Sequence, residues 1–222
     1  MPFTIRIFDN FRDAKDIWKS FESTTEHFVF QKFALQRLLY ECIGKAERLR
    51  PCLVYVEDDR GSPLCFLPFQ IRMNHGIRLL EWLGGFLIDY RAPMLSRDYP
   101  SFCGESEFAE IWRQTCLSLP TFDAVDLKRM PDTVGGIPNP FIGLPGAKVV
   151  NYSFQAHLPG NWDSYYESCF GAKYRSTQRR KERKLAAIGP INFDVITDVA
   201  DRRQHVDTLL ALKSQRYDLY KR

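Results

Sequence analysis

The stretch CLVYVEDDRGSPLCFLPFQIRMNHGIRLLEWLG, residues 52–84, sets the expected fold. It contains three β-rich apolar runs separated by the turn-rich spacers DDRGSP and NHG, and spacers this short join neighbouring antiparallel strands. Pro68 interrupts the middle run, and a proline, which has no N–H donor, favours a sheet edge or a bulge. We therefore predict an antiparallel meander with strands at 52–58, 64–73 and 77–84.

Helical and strand-like patterns follow one another irregularly on both sides of this meander. Apolar residues spaced three or four apart predict helices, and the last of these helices is expected to turn Val206, Leu209, Leu210 and Leu212 inward. Because the order is not a regular βαβ alternation, we predict an α+β fold with a mixed, mostly antiparallel sheet flanked by helices. The further predicted strands are 3–8, 122–130, 149–158 and 191–197, and the predicted helices are 12–21, 32–43, 105–117, 162–170, about 173–188 and 199–217.

Composition places the chain among globular proteins and concentrates its positive charge at one end. Of 222 residues, 45% are apolar and 14% aromatic, enough for a core. The net charge is +4, and residues 170–222 alone carry 13 Lys or Arg against 6 Asp or Glu, a net of +7. Residues 1–169 therefore carry −3, since 4 − 7 = −3.

The cysteines and the hydropathy pattern suggest where the protein resides. The six cysteines include no C-x-x-C pair, and MPFTIRIFDN has Arg6 and Asp9 where a secretory leader needs an apolar core. No apolar run reaches the roughly 20 residues that cross a bilayer. We expect a cytoplasmic protein with reduced, buried thiols, no membrane span and no metal site.

The sequence lacks the common nucleophile and phosphate-binding motifs, and its four histidines lie far apart. Asp89 and Tyr90 are the candidate catalytic pair, because they follow Gly84-Gly85 in a loop at the end of a predicted strand. A carboxylate beside a phenol can orient an amine and accept its proton. The alternative is a structural loop in which the aspartate caps a turn and the tyrosine packs on the sheet.

The stretch KYRSTQRRKERK, residues 173–184, holds seven basic residues and one acid. It is compatible with a solvated amphipathic helix, with a nucleic-acid surface, or with a helix whose cations bind an anionic ligand or acidic neighbours. A single basic helix supplies phosphate contacts but no base-reading motif or aromatic platform, so nucleic acid is not the favoured partner.

Several segments together resemble a known family. FGAKYRSTQRRKERKLAAIGPINFDVITD, followed by LLALKSQRYD, resembles the start of the acyltransferase domain in the CelD-like branch of the GNAT superfamily, whose relatives include the Fem peptidyltransferases. The segments HFVFQKFALQRLLYE, LCFLPFQIR and LEWLGGFLIDYRAPML are similar to the first half of that family in order and spacing. The family is associated with cellulose and other exopolysaccharide biosynthesis.

The resemblance implies two GNAT-like halves, here residues 1–158 and 159–222, and acyl transfer from acyl-CoA, such as acetyl-CoA, to an amine-bearing small molecule or glycan. Asp89 and Tyr90 are then expected at the acceptor, and Arg175, Arg179 and Arg180 at anionic groups. The family's R/Q-x-x-G-x-G/A loop has no counterpart in this sequence, so we expect the second half to be incomplete and to need a further C-terminal segment. The alternatives are a non-catalytic module or inactive fragment whose basic region contacts nucleic acid or an acidic partner.

Overall fold

A computed structural model describes residues 2–150, 152, 158 and 160–220 of the chain. The chain divides into two compact units, Met1–Phe154 and Gln155–Arg222, called here the N-terminal and C-terminal units. The strands are β1 (Phe3–Phe8), β2 (Thr25–Glu26), β3 (Arg50–Asp58), β4 (Pro63–Asn74), β5 (Ile77–Trp82), β6 (Met94–Ser96), β7 (Ala124–Val125), β8 (Thr133–Val134) and β9 (Ile137–Pro138). The α-helices are α1 (Phe11–Thr24), α2 (Phe33–Leu39), α3 (Tyr99–Phe102), α4 (Glu105–Ser118), α5 (Trp162–Cys169), α6 (Ala172–Ala186) and α7 (Val199–Tyr220).

The N-terminal unit is an open, mostly antiparallel sheet flanked by helices, so the α+β class is confirmed. Strands run in the order β1-β3-β4-β5-β7, and β6 pairs with β4 and β2 beside this row. The pairing is antiparallel except between β5 and β7, which are parallel. The predicted meander is therefore present, with Val54 opposite Leu67 and Ile71 opposite Leu80.

Local turn chemistry fixes both hairpins of the meander. In the first, the buried Asp58 carboxylate accepts hydrogen bonds from the backbone N–H groups of Arg60 at 2.9 Å and Ser62 at 2.7 Å. In the second, His75 and Gly76 both have positive φ angles, 49° and 83°, as a two-residue turn that follows the sheet twist requires. His75 is thus a turn residue, as its place in NHG suggests.

The prediction for Pro68 is wrong. Strand β4 is central in the sheet, and the irregularity in its pairing with β3 lies elsewhere, between Val56 and Glu57 of β3. Pro68 sits where the neighbour of β4 changes from β6 to β5. Its carbonyl oxygen accepts a 2.8 Å hydrogen bond from the N–H of Leu83 on that side. The N–H and C=O groups of one strand residue point to the same side of the strand. The N–H that proline lacks would therefore face the gap between β6 and β5, so its absence removes no hydrogen bond from the sheet.

Both faces of the sheet are covered, which explains the near-continuous apolar runs of β3 and β4. Alternate residues of β3 enter different cores. One core packs Leu53 and Tyr55 with aromatic residues of α1 and α2, and the other packs Cys52, Val54 and Val56 with Phe108 and Ile111 of α4 and with Phe141. Asn10 caps α1 by accepting from the N–H of Asp13 at 3.0 Å, a contact of about 1 kcal/mol.

Two segments of the N-terminal unit differ from their predicted form. The helix predicted at 32–43 is α-helical only over Phe33–Leu39 and continues as a π-helical turn, Tyr40–Gly44. The strand predicted at 122–130 is reduced to Ala124–Val125, bound to the edge of β5 through the N–H groups of Asp123 and Asp126. Residues 126–130 then leave the sheet to reach the loop described below.

The C-terminal unit confirms the predicted helices but not the strand between the last two. Residues 191–197 form no strand, since the described part of this unit contains no other strand to pair with them. The inward orientation predicted for α7 is also wrong: Val206, Leu209, Leu210 and Leu212 are 51–58% exposed. None of the described residues of this unit is buried. The strand predicted at 149–158 falls for the most part outside the described residues.

Candidate functional site

The candidate site is the loop of residues 84–91, called the Gly84 loop, which joins β5 to the segment before β6. Gly84 and Gly85 have positive φ angles of 91° and 55°, a region that favours glycine. A Cβ at Gly84 would lie 2.5 Å from Cγ1 of Ile88 and 3.1 Å from Oε1 of Gln36. The glycine therefore allows the loop to close tightly over α2.

Two arginines donate hydrogen bonds to the backbone of the loop. Arg91 is buried, and its side chain donates to the carbonyl oxygens of Gly85 and, at 3.2 Å, Ile88. Burial, reinforced by the nearby charge of Arg129, lowers the pKa of Arg91. Nη1 of Arg129 donates to the carbonyl oxygens of Phe86 at 3.2 Å and Ile88 at 3.1 Å. Three carbonyl groups of the loop are thus turned toward the two guanidinium groups.

Asp89 projects from this fixed backbone into solvent. Its side chain is 76% exposed, and Oδ1 accepts a 3.1 Å hydrogen bond from Nη1 of Arg129. Among the described residues the carboxylate has no second partner, so Oδ2 can accept a proton or a hydrogen bond from a ligand. The sequence-predicted acid is therefore accessible and held in place by one cation.

Tyr90 points to a different set of neighbours. Its ring stacks on Phe28, with centroids 5.2 Å apart and planes at 16°, and lies 6.3 Å from the ring of Phe30. Its carbonyl oxygen accepts a 3.1 Å hydrogen bond from Nε2 of Gln31. Within the described part of the chain no hydrogen bond joins the Asp89 and Tyr90 side chains, so the two predicted residues are adjacent in sequence but held by separate contacts.

A small cleft lies beside the loop, between α2, the π-helical turn and the end of β5. It encloses about 30 Å³ and its lining includes Gln36, Gln70, Gly84 and Phe86. Nε2 of Gln36 donates to the carbonyl oxygen of Phe30 at 2.7 Å, which fixes the orientation of the amide. Oε1 of Gln36 is buried and, in the part of the chain that is described, has no hydrogen-bond partner. This oxygen is therefore a buried acceptor close to the cleft, rather than an exposed group of its lining.

A buried polar cluster anchors the start of the loop. Oε1 of Glu81 accepts from Nε2 of Gln70 at 2.6 Å and from Nε of Arg72 at 2.9 Å, while Oε2 accepts from Nη2 of Arg72 at 3.1 Å. Oε1 of Gln70 in turn accepts from the N–H of Gly84 at 3.2 Å. Because bidentate Arg–carboxylate pairs have a defined geometry, this chain of contacts fixes the point where the loop leaves β5.

The predicted anion-binding arginines lie on α6 of the C-terminal unit and differ in their contacts. Nη1 of Arg175 donates to the carbonyl oxygens of Glu167 at 3.1 Å and Phe170 at 2.7 Å, and so caps the end of α5. The guanidinium groups of Arg179 and Arg180 have no hydrogen bond or ion pair within the described residues. Arg179 and Arg180 are therefore the two of the three that remain available to an anion.

Sequence reasoning missed Arg129, Arg91 and Gln36. Arg129 is separated from Asp89 by 40 residues, and only the return of the chain after β7 brings it to the loop. Its positive φ of 60° is unusual for a non-glycine residue and is not visible in the sequence. Arg91 directly follows Asp89-Tyr90, so its position in the sequence could have pointed to it. Its burial, which requires hydrogen-bond acceptors nearby, is visible only in the structure.

The described residues include no candidate metal site and no candidate membrane span. No group of three or more His, Cys, Asp or Glu side chains there could hold a metal ion. No helix there is both long and apolar enough to span a bilayer.

The comparisons with known proteins provide no family assignment. No protein-family model, curated protein or solved structure matches the chain.

Proposed function

We propose that the chain is a GNAT-type acyltransferase of the CelD-like branch, which moves an acyl group from acyl-CoA to an amine at the Gly84 loop. The sequence resemblance supports the family. The observation that carries the acceptor site is Asp89, whose carboxylate is 76% exposed and yet fixed by Arg129 on a loop with internal hydrogen bonds. A general base must be both accessible to substrate and held in one position.

The proposed reaction is direct transfer. The amine nitrogen attacks the thioester carbonyl carbon, the C–N bond forms, and the C–S bond breaks to release the thiol of CoA. The attacking amine is neutral, and its nitrogen loses one proton, which Asp89 accepts through its free oxygen. Water delivers one proton to the leaving thiolate, and Asp89 then returns its proton to the solvent. Positioning of the amine and removal of its proton are the contributions that the Gly84 loop makes in this scheme.

The loop also indicates the class of acceptor. Asp89 favours a group that is cationic or donates hydrogen bonds, and the half-buried ring of Tyr90 offers an apolar edge beside it. An amino sugar or an amine-bearing glycan has both a polar nitrogen and an apolar ring face, in keeping with a role in polysaccharide or cell-envelope biosynthesis. Arg179 and Arg180 are the candidates for anionic groups of a ligand, because the Arg175 side chain already binds backbone carbonyls.

The cysteines bear on where the protein resides. All six cysteines are free, with Cys52, Cys65 and Cys103 buried and Cys42 and Cys169 exposed. Free thiols fit the reducing cytoplasm, which is where acyl-CoA is available, and we assign the protein to that compartment.

Calorimetric titration with acetyl-CoA tests the donor, and release of free thiol in the presence of a panel of primary amines tests the transfer. The proposal predicts saturable donor binding and amine-dependent thiol release. Absence of acetyl-CoA binding would show that residues 1–222 do not hold the donor site. Binding without thiol release for any amine would instead favour a non-catalytic module.

A further inference from the structure

The row of paired strands in the N-terminal unit ends at β1 on one side and at β7 on the other. An end strand presents backbone N–H and C=O groups that a further strand can pair with, and natural proteins usually protect such an edge. Strand β7 is protected by being only two residues long. Strand β1 has six residues and, in the part of the chain that is described, pairs with β3 alone, so its outer side is an open edge.

Strand β1 lacks the features that normally protect an edge. Its sequence FTIRIF contains no proline, and its pairing with β3 is regular along all six residues. The single charged side chain, Arg6, is turned toward β3, where it donates to Glu57 at 3.2 Å and lies 4.9 Å from the ring centroid of Tyr55. The one charge of β1 is therefore held away from its outer side.

The hydrogen bonds of β3 show which groups of β1 face outward. The N–H of Asp58 donates at 2.9 Å to the carbonyl oxygen of Ser62, in the turn that leads to β4, so Asp58 bonds on the β4 side. Asp58 lies opposite Phe3, and the side on which residues bond alternates along a strand. Phe3 and every second residue after it therefore turn both N–H and C=O away from β3. These outward residues are Phe3, Ile5 and Ile7.

The side chains of the same three residues share one face of the sheet. All three are half-buried and pack against the core that contains Phe108 and Ile111 of α4. The side chains between them, Thr4 and Arg6, are exposed on the other face. The edge therefore combines outward backbone groups with an apolar row on one face.

We propose that two copies of the chain pair antiparallel through β1, so that one sheet continues across both. Ile5 then lies opposite Ile5 of the second copy, and Phe3 of each copy lies opposite Ile7 of the other. Each of these three pairs exchanges two backbone hydrogen bonds, because all the groups involved face outward. The apolar rows of the two copies also fall on the same face and cover each other's remaining exposed surface. The association uses no residue of the Gly84 loop and is independent of acyl transfer.

The edge is complementary to itself, which is why a second copy is the favoured partner. Sliding one copy by two residues in either direction loses one of the three pairs. One of these slides also places Arg6 opposite Arg6 of the second copy, and like charges directly opposite each other destabilise a sheet. In the proposed register Arg6 lies opposite the neutral Thr4, so β1 specifies one alignment.

The test combines light scattering with hydrogen exchange on the full, unaltered chain, from about 1 μM to 1 mM, the span of moderate to weak affinities. Exchange is followed residue by residue through mass spectrometry with fragmentation of the labelled peptides. The proposal predicts that the mass rises from one chain to two, and that the amides of Ile5 and Ile7 exchange at least about 10-fold more slowly in the dimer. The amides of Thr4 and Arg6 bond to β3 and should exchange slowly at every concentration.

Variants then test the edge and its register. Ile5→Pro removes an outward N–H from each copy without breaking a bond to β3, and should lower the association constant by about 10- to 100-fold. Thr4→Lys sets a second cation opposite Arg6 twice in the dimer, and should lower it by about 2- to 30-fold. Thr121→Lys is the matched control, because Thr121 is exposed and lies just before β7 at the other end of the strand row; association should be unchanged.

Three results would overturn the proposal. A mass of one chain at every concentration would show that the edge recruits no second copy. A dimer whose Ile5 and Ile7 amides exchange as fast as in the monomer would place the contact on another surface. Slow exchange of these amides already in the monomer would show that the edge is covered within the same chain. All three come from the unaltered protein, so they remain decisive even if Ile5→Pro fails to fold.

Discussion

Nη1 of Arg129 lies 3.1 Å from Oδ1 of Asp89, across 40 residues of sequence. The same nitrogen also donates to the carbonyl oxygens of Phe86 and Ile88. One guanidinium thus fixes both the exposed acid and the backbone that carries it. This contact, rather than the Asp89-Tyr90 pair alone, makes the Gly84 loop a suitable place for a general base.

Replacing Arg129 by glutamine should loosen the Gly84 loop without unfolding the protein. The ion pair is exposed, so the free energy of unfolding should fall by about 1 kcal/mol or less. The loop loses hydrogen bonds to two carbonyl groups, and amide exchange of residues 86–90 should quicken by about 10-fold. Hydrogen exchange followed by mass spectrometry measures this.

Arg97→Gln is the matched control, because it also removes an exposed ion pair, that with Glu26 at 3.0 Å, away from the loop. It should leave exchange at residues 86–90 unchanged. Equal exchange in Arg129→Gln and the unaltered protein would show that the loop does not depend on Arg129.

The sheet could be predicted because the sequence patterns that indicate its strands and turns each lie within a short stretch of the chain. β-rich apolar runs and short turns indicated the meander, and the NHG turn has the positive φ angles of a tight hairpin at His75 and Gly76. The placement of Pro68 could not be predicted, because it depends on where β6 ends and β5 begins as neighbours of β4. That boundary is set by tertiary packing, not by any residue near Pro68.

The candidate site likewise includes residues that local sequence signals reveal and residues that only the fold brings in. Asp89 and Tyr90 were found from a glycine pair and a strand end, which are local signals, whereas Arg129 enters only through the path of the chain after β7. Residues 191–197 show the opposite error. They were predicted as a strand, but a strand needs a neighbour that pairs with its backbone groups, and the described part of the C-terminal unit provides none.

Truncation of Glu81 should destabilise the N-terminal unit strongly. Its side chain is only 7% exposed and accepts from Gln70 and twice from Arg72. Glu81→Ala leaves a buried amide and a partly buried cation without their acceptor, at a cost of about 3 kcal/mol. Urea unfolding gives this directly, with Glu41→Ala, which breaks the exposed pair with Lys45, as the control. A loss no larger than that of the control would contradict the role of the cluster.

The ion pair of Arg78 with Asp123 should give the protein an acid-sensitive component of stability. Hydrogen bonds from the Arg78 side chain, and then from its backbone, lower the pKa of Asp123 from 3.8 to about 2. A lowered folded-state pKa means that this contribution is complete above about pH 4 and is lost as the pH falls toward about 2. Asp123→Asn should therefore reduce stability at neutral pH and flatten its decline over that interval.

Urea midpoints at neutral pH and across the acid range measure this effect. Asp59→Asn is the control, since Asp59 is exposed in the first hairpin turn and its side chain has no partner among the described residues. Parallel pH profiles for Asp123→Asn and the unaltered protein would rule out the contribution.

The central claim is that Asp89 accepts the proton of the acceptor amine. The most direct measurement is the initial rate of amine-dependent thiol release from acetyl-CoA for the unaltered protein, Asp89→Asn and Asp59→Asn. Asparagine keeps an oxygen for Arg129 but cannot take the proton, so the Asp89 variant should be slower by about 10²- to 10⁴-fold while the Asp59 variant keeps its rate. An Asp89→Asn rate equal to that of the unaltered protein would contradict the claim.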